Sequence, residues 1–107
     1  MLNNLKKILG LGPKTDFAEL KRNGAIILDV RSKSEFADGH IKNSINIPVD
    51  ALLQNLNKLK NKNTPIITCC ATGNRSGMAK RVLKSKGYDQ VYNGGGWRSL
   101  NNKITNI

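Results

Sequence analysis

Cys70 is followed by Ala71, Thr72, Gly73 and Asn74, and then by Arg75 and Ser76. A thiol, a short run of small uncharged residues and a guanidinium, in that order, suit a nucleophile that works on an anion. The thiolate is the species that attacks, and nearby donors or cations lower the pKa that makes it available. Gly73 is free to take a positive φ, so the N–H groups from Ala71 to Asn74 are able to turn inward as an anion-binding nest. A helix beginning near Arg75 adds its positive end, and Arg75 itself can grip an oxyanion through paired hydrogen bonds. Cys70 is therefore the expected catalytic thiol, with Ala71, Thr72, Gly73, Asn74, Arg75 and Ser76 as the binders of an anionic substrate.

Cys69 stands directly before this loop. Side chains alternate along a strand, so Cys69 should point away from Cys70 and serve as a buried structural residue, with a resolving thiol as the alternative. The two cysteines form no CxxC pair, which argues against a zinc centre or a thioredoxin-type couple. Neighbouring Cα atoms sit about 3.8 Å apart, shorter than the roughly 4.4 to 6.8 Å usual for a disulfide.

The elements that must hold this loop alternate between strands and helices. Asp16 and Glu19 form a capping-box start to a short helix over "DFAELKRN", which Gly24 closes. "AIILDV" is an apolar run of strand length. "KSEFADG" reads as a helical turn capped by Ser32 or Ser34 and closed by Gly39, and "SINIP" as a short strand. In "VDALLQNLNKLKNK" the spacing of Leu52, Leu53, Leu56 and Leu59 predicts a helix with one buried leucine face. "TPIITCC" is the third strand, placing Cys70 at its carboxyl end, where open α/β sheets put their ligand crevice. "RSGMAKRVLKSKG" follows as a helix with Met78, Val82 and Leu83 inward and Gly87 as its stop. "DQVYN" reads as a last strand, and "GGGW" as a turn into a final helix near Ser99 and Leu100. The class is α/β, with a mostly parallel sheet of about four to five strands flanked by helices on both faces.

A chain of 107 residues fits one domain. The expected organisation is an N-terminal extension over residues 1–14 and a single domain over 15–107. With 18 Lys and Arg against 7 Asp and Glu, the formal charge is +11, so the surface should attract anions or acidic proteins. The basic residues are scattered without an aromatic pattern for stacking bases, so nucleic acid is not the expected partner. No segment has the apolar length of a membrane span. The start "MLNNLKKILGLG" is too short in apolar residues for a secretory signal. The expected compartment is therefore the cytoplasm, with the periplasm as the alternative if a leader has been removed ahead of Met1.

"ILDVRSKSEFADGHIKNSINIP" together with "IITCCATGNRSGMAKRVLKSKGYDQVYNGGGW" resembles a single-domain rhodanese, a thiosulfate sulfurtransferase-like protein. The likeness spans about residues 15 to 100 and joins three signatures: "DVR" with a following "EF", "GHI" with "NIP", and the cysteine loop. It implies a rhodanese-like fold. It also implies sulfur transfer from thiosulfate through a Cys70 persulfide to cyanide, a small thiol or an acceptor protein, with no metal and no organic cofactor required. A sulfur carrier that delivers to a protein partner is the alternative, and a rhodanese-fold phosphatase or arsenate reductase a weaker one. Phosphatases of this kind carry five residues between cysteine and arginine, whereas this chain has four, "ATGN". The resemblance makes Asp29 and Arg31 mainly braces of the fold, with Arg31 pairing with Glu35 and support of the active site as the alternative, and it gives His40 a structural hydrogen bond. Trp97 is expected to pack near the pocket rim. The chain departs from many relatives in having Cys69 where they have Tyr or His, and in setting its glycines directly against Trp97.

Overall fold

The aliphatic runs at the centre of the sequence become neighbouring strands. In a computed structural model, which describes residues 15–105, β1 (Ile26–Asp29) and β3 (Ile66–Cys70) pair in parallel. The 1–14 extension lies outside the described residues. β2 (Ile45–Asn46) joins the other edge of β1, and β4 (Val91–Gly96) the other edge of β3. The order is β2-β1-β3-β4 and every pairing is parallel, so the sheet has four strands, the lower end of the expected range.

All five residues of β3 are buried, as a strand covered on both faces requires. Alternation along the strands sends their side chains into two cores. Leu28, Ile66 and Cys70 pack with Leu52, Leu59, Ala79 and Leu83. Ile27, Ile67 and Cys69 pack with Leu100 and Ile104, flanked by Phe17 and Leu20. The helices supply the outer layers: α1 (Phe17–Arg22) and α4 (Trp97–Thr105) over the second core, α3 (Asn74–Ser85) over the first. Helix α2 (Lys33–Ala37) sits beyond β1. Asp16 caps α1 by accepting the Glu19 N–H, and Ser32 and Glu35 form a reciprocal capping box on α2. Among the described residues no helix is long and apolar enough to cross a membrane.

Three expectations need correction. The leucine-rich segment is not an α-helix but two 3₁₀ pieces, Val49–Ala51 and Leu53–Lys58. The i→i+3 pattern is set from Ala51 and Leu52 onward, and Asn55 interrupts the second piece: its Nδ2 donates to the Ala51 carbonyl, which its own N–H would take in an α-helix, and that N–H turns to Leu52 instead. Leu52 and Leu59 stay buried while Leu53 turns outward, 53% exposed. On α3, Met78 is also outward, 49% exposed, because the buried face runs through Ser76, Ala79 and Leu83. The third correction is at "GGGW", where β4 continues through the glycines instead of turning. A Cβ on Gly94 would come within 2.8 Å of Ile67, Leu100 and the Thr68 carbonyl, so glycine permits close packing there.

Candidate active site

Cys70 ends β3, and Gly73, with φ of 105°, caps α3 from the left-handed region, as its residue type allowed. The turn between them wraps the sulfur. Gly73 N–H donates to Cys70 Sγ at 3.0 Å, and Ser76 N–H at 3.3 Å. The Cys70 thiol in turn faces Ser76 Oγ at 3.3 Å. Cys70 is only 1% exposed, while Ala71, Thr72 and Asn74 over it are exposed.

Burial is the largest single influence on Cys70 and raises its pKa. The Ser76 hydroxyl and the Ser76, Gly73 and Thr72 amides together outweigh it, so the thiol is held below its ordinary value. Cys69 behaves in the opposite way. It lies in the second core, fully buried, and burial first, then the charge of Asp29, push it up to about 12. Two adjacent thiols are thus an ionisable one among donors and an inert one among side chains that offer it none.

The expected pairing of Arg31 with the Glu35 side chain is not what the structure contains. Arg31 holds Asp29 instead, through Nε at 3.0 Å and Nη2 at 2.7 Å, and reaches Glu35 only at its carbonyl, 3.2 Å from Nη1. The fork geometry and the burial of both partners favour Asp29. Arg31 Nη2 also donates to the Gly39 carbonyl at 2.7 Å, and its guanidinium lies 4.7 Å from the centre of the Trp97 ring. Asp29 and Arg31 therefore tie the end of β1 to α2 and α4. Among the described residues no hydrogen bond joins them to Cys70 or its loop.

The Glu35 carboxylate belongs to Arg75. Nη1 and Nη2 of Arg75 donate to Oε1 and Oε2 at 2.7 and 2.9 Å. The guanidinium, helped by the Ser32 N–H, lowers the Glu35 pKa to about 2. Arg75 is thus a cation already engaged, at the first turn of α3, rather than an open fork. His40 donates through Nδ1 to the Phe36 carbonyl at 2.7 Å and stacks on the Phe36 ring, a structural bond.

Asn93 was not legible as part of this region. It reaches from β4 to accept the Ser76 hydroxyl proton at Oδ1, 2.6 Å away, and donates from Nδ2 to the Gly73 carbonyl at 3.2 Å. The one sequence sign of it is Gly77, where a Cβ would stand 3.2 Å from Asn93 Nδ2. Thr68 was missed as well; its hydroxyl donates to the Ser76 carbonyl at 2.9 Å and fixes the first turn of α3. Among the described residues no three His, Cys, Asp or Glu side chains gather as metal ligands would.

Comparison with known proteins sets this geometry in a family. The model of the rhodanese-like domain matches residues 14–103. Thiosulfate sulfurtransferase PspE of Escherichia coli (strain K12) is 31% identical over 74 residues, covering 68% of this chain and 71% of the relative. The putative sulfur carrier protein YrkF of Bacillus subtilis (strain 168) is 39% identical over 67 residues, covering 63% of this chain and 36% of the relative. The chain spans less than two thirds of the length of several curated relatives. Among solved structures, a rhodanese-like domain protein from Staphylococcus aureus superposes with a TM-score of 0.68 at 36% identity, covering 78% of this chain and 86% of that one.

Proposed function

The chain belongs to the rhodanese-like domain family, and on that premise we propose that it is a sulfurtransferase that carries a sulfane sulfur on Cys70. The observation that carries this reading is the Cys70 sulfur held by the Gly73 and Ser76 amides with its pKa lowered. The thiolate attacks the outer sulfur of thiosulfate. A new bond forms from Cys70 Sγ to that sulfur, the S–S bond of thiosulfate breaks, and sulfite leaves with the bonding pair. The persulfide keeps one negative charge on its outer sulfur, and on this reading the loop amides and the amino end of α3 stabilise it. Cyanide or a thiolate then attacks the outer sulfur and the Cys70 thiolate is restored, a ping-pong exchange without net oxidation. Arg75 attracts the anion but shares its charge with Glu35. Asp29 and Arg31 support from behind. The reading includes a cytoplasmic setting.

Intact-mass measurement after mixing with thiosulfate tests it. One added sulfur, located on Cys70 and absent from Cys70→Ser, is the expected result; an unchanged mass overturns it. Hydrolysis of para-nitrophenyl phosphate faster than thiosulfate turnover would favour a phosphatase instead.

A second reading, delivery of sulfur to a protein, is favoured by the excess of positive charge, which suits an acidic acceptor, and by the likeness to a relative named as a putative sulfur carrier. Sulfur gained on Cys70 without turnover to cyanide selects this reading over the enzyme.

A further inference from the structure

Ser76 has one hydroxyl proton and two neighbours able to accept it. Its Oγ donates to Asn93 Oδ1 at 2.6 Å while accepting the Cys70 thiol proton across 3.3 Å. Asn93 is held in a single sense by two different backbone groups: Gly95 N–H donates to Oδ1 at 2.9 Å, and Nδ2 donates to the Gly73 carbonyl at 3.2 Å. Reversing the amide would set donor against donor at one end and acceptor against acceptor at the other. Gly77, without a Cβ, leaves the space for this approach.

Ionisation changes what the sulfur needs. A thiol donates to Ser76 Oγ, but a thiolate only accepts, and the Ser76 hydroxyl proton is then best placed on Sγ. The hydroxyl turns from Asn93 to sulfur, and Oδ1 is not stranded, because Gly95 N–H remains on it. In a persulfide, Sγ is bonded to sulfur and carries no formal charge, so the hydroxyl returns to Asn93.

We propose that Asn93 is a positioning residue that competes with the Cys70 thiolate for the Ser76 hydroxyl proton, holding it off the sulfur in the thiol and persulfide forms and yielding it in the thiolate. The role of this exchange in turnover rests on the sulfur-transfer reading of Cys70. Among the described residues the other ionisable groups that sense the charge of Cys70 are Arg75 on α3, paired with Glu35 of α2, and Cys69, which lies in the opposite core beside the Asp29 and Arg31 pair from the end of β1. Among the described residues none of them hydrogen-bonds to the Asn93 side chain, so a substitution there leaves their contacts in place.

The test is a double-mutant cycle read on Cys70 ionisation, from the pH dependence of iodoacetamide alkylation, in Asn93→Ala, Ser76→Ala and the double variant. Asn93→Ala frees the hydroxyl for sulfur and should lower the Cys70 pKa by roughly half a unit, the scale of one modest hydrogen bond. Ser76→Ala should raise it, and in that background Asn93→Ala should change nothing further. A residue that only braces the loop would behave otherwise: its loss loosens the amides around Sγ and raises the pKa. A raised or unchanged pKa in Asn93→Ala, or an equal shift with and without Ser76, overturns the proposal. Asn93 is exposed, which favours a folded variant. Asn93→Asp is the companion: it keeps the acceptor, holds the hydroxyl more tightly, and should raise the pKa more when Ser76 is present than when it is alanine. Equal rises in the two backgrounds would also overturn it. Alkylation reads the thiol whether or not sulfur is transferred. Failure of thiosulfate to load Cys70 would therefore overturn the functional reading and leave the outcome of the cycle intact.

Discussion

At the scale of single residues, the two thiols set opposite pH dependences. Cys70, lowered in the fold, should give an acid limb of kcat/KM below the ordinary thiol value of about 8.5. Its ionised form favours the folded state above the unfolded pKa, and that contribution is lost as pH falls through the folded value. Cys69, raised to about 12, favours the folded state while neutral. That contribution is complete below the unfolded value and is lost as pH rises from about 8.5 toward the folded value. Urea midpoints should therefore fall less steeply on the alkaline side in Cys69→Ala than in the parent chain; equal slopes would assign the alkaline loss to another group. Glu35 stays ionised down to about pH 2, so protonation does not release Arg75 near neutrality. Substitution does. Glu35→Gln should lower KM for thiosulfate a few-fold and Arg75→Ala should raise it, with kcat less affected, as measured by sulfite release. Arg75 looked like an open fork in the sequence because its partner lies 40 residues away. A contact across that separation leaves no local spacing to read.

At the scale of elements, local chemistry was legible and long-range fit was not. The Asp16 and Ser32 caps, the positive φ of Gly73 and the opposite facing of Cys69 and Cys70 each follow from one residue type and its neighbours. Ser32→Ala should cost about 1 kcal/mol by removing the cap of α2. The 3₁₀ pieces were not legible, because leucine spacing reports neither the i→i+3 pattern set from Ala51 and Leu52 nor the capture of the Ala51 carbonyl by Asn55. The glycines of β4 read as a turn for a related reason: glycine marks both free backbone and tight approach, and only the neighbouring elements decide which. The triplet divides by cause. Gly94→Ala must displace Ile67, Leu100 and a carbonyl, and should cost about 1 to 3 kcal/mol. Gly95, at φ of 79° with nothing near its Cβ position, should cost about 1 kcal/mol on conversion to Ala, through strain alone. Chemical denaturation of the two variants gives the comparison, and a larger loss at Gly95 would reverse the assignment of causes.

At the scale of the whole molecule, charge is distributed unevenly about the site. From Ala51 to Tyr88 the chain has no Asp or Glu, yet it includes Lys58, Lys60, Lys62, Lys80, Arg81, Lys84 and Lys86 besides Arg75. This stretch builds the 3₁₀ pieces and α3, the side of the sheet on which Cys70 packs. An anionic donor should therefore be gathered by a broad field rather than by one guanidinium. Raising salt from about 0.05 to about 0.5 M, which shortens the screening length several-fold, should raise KM for thiosulfate with little change in kcat; a KM indifferent to salt would confine the attraction to the loop amides.

The placing of the two thiols in separate cores also decides how the molecule meets oxidants. Cys69, sealed in the opposite core, presents no thiol to a sulfenic acid on Cys70, so among the described residues no second cysteine is set to trap that damage as a disulfide. Repair falls to whatever reductant surrounds it, and its working lifetime under peroxide stress is a property of its environment as much as of its fold.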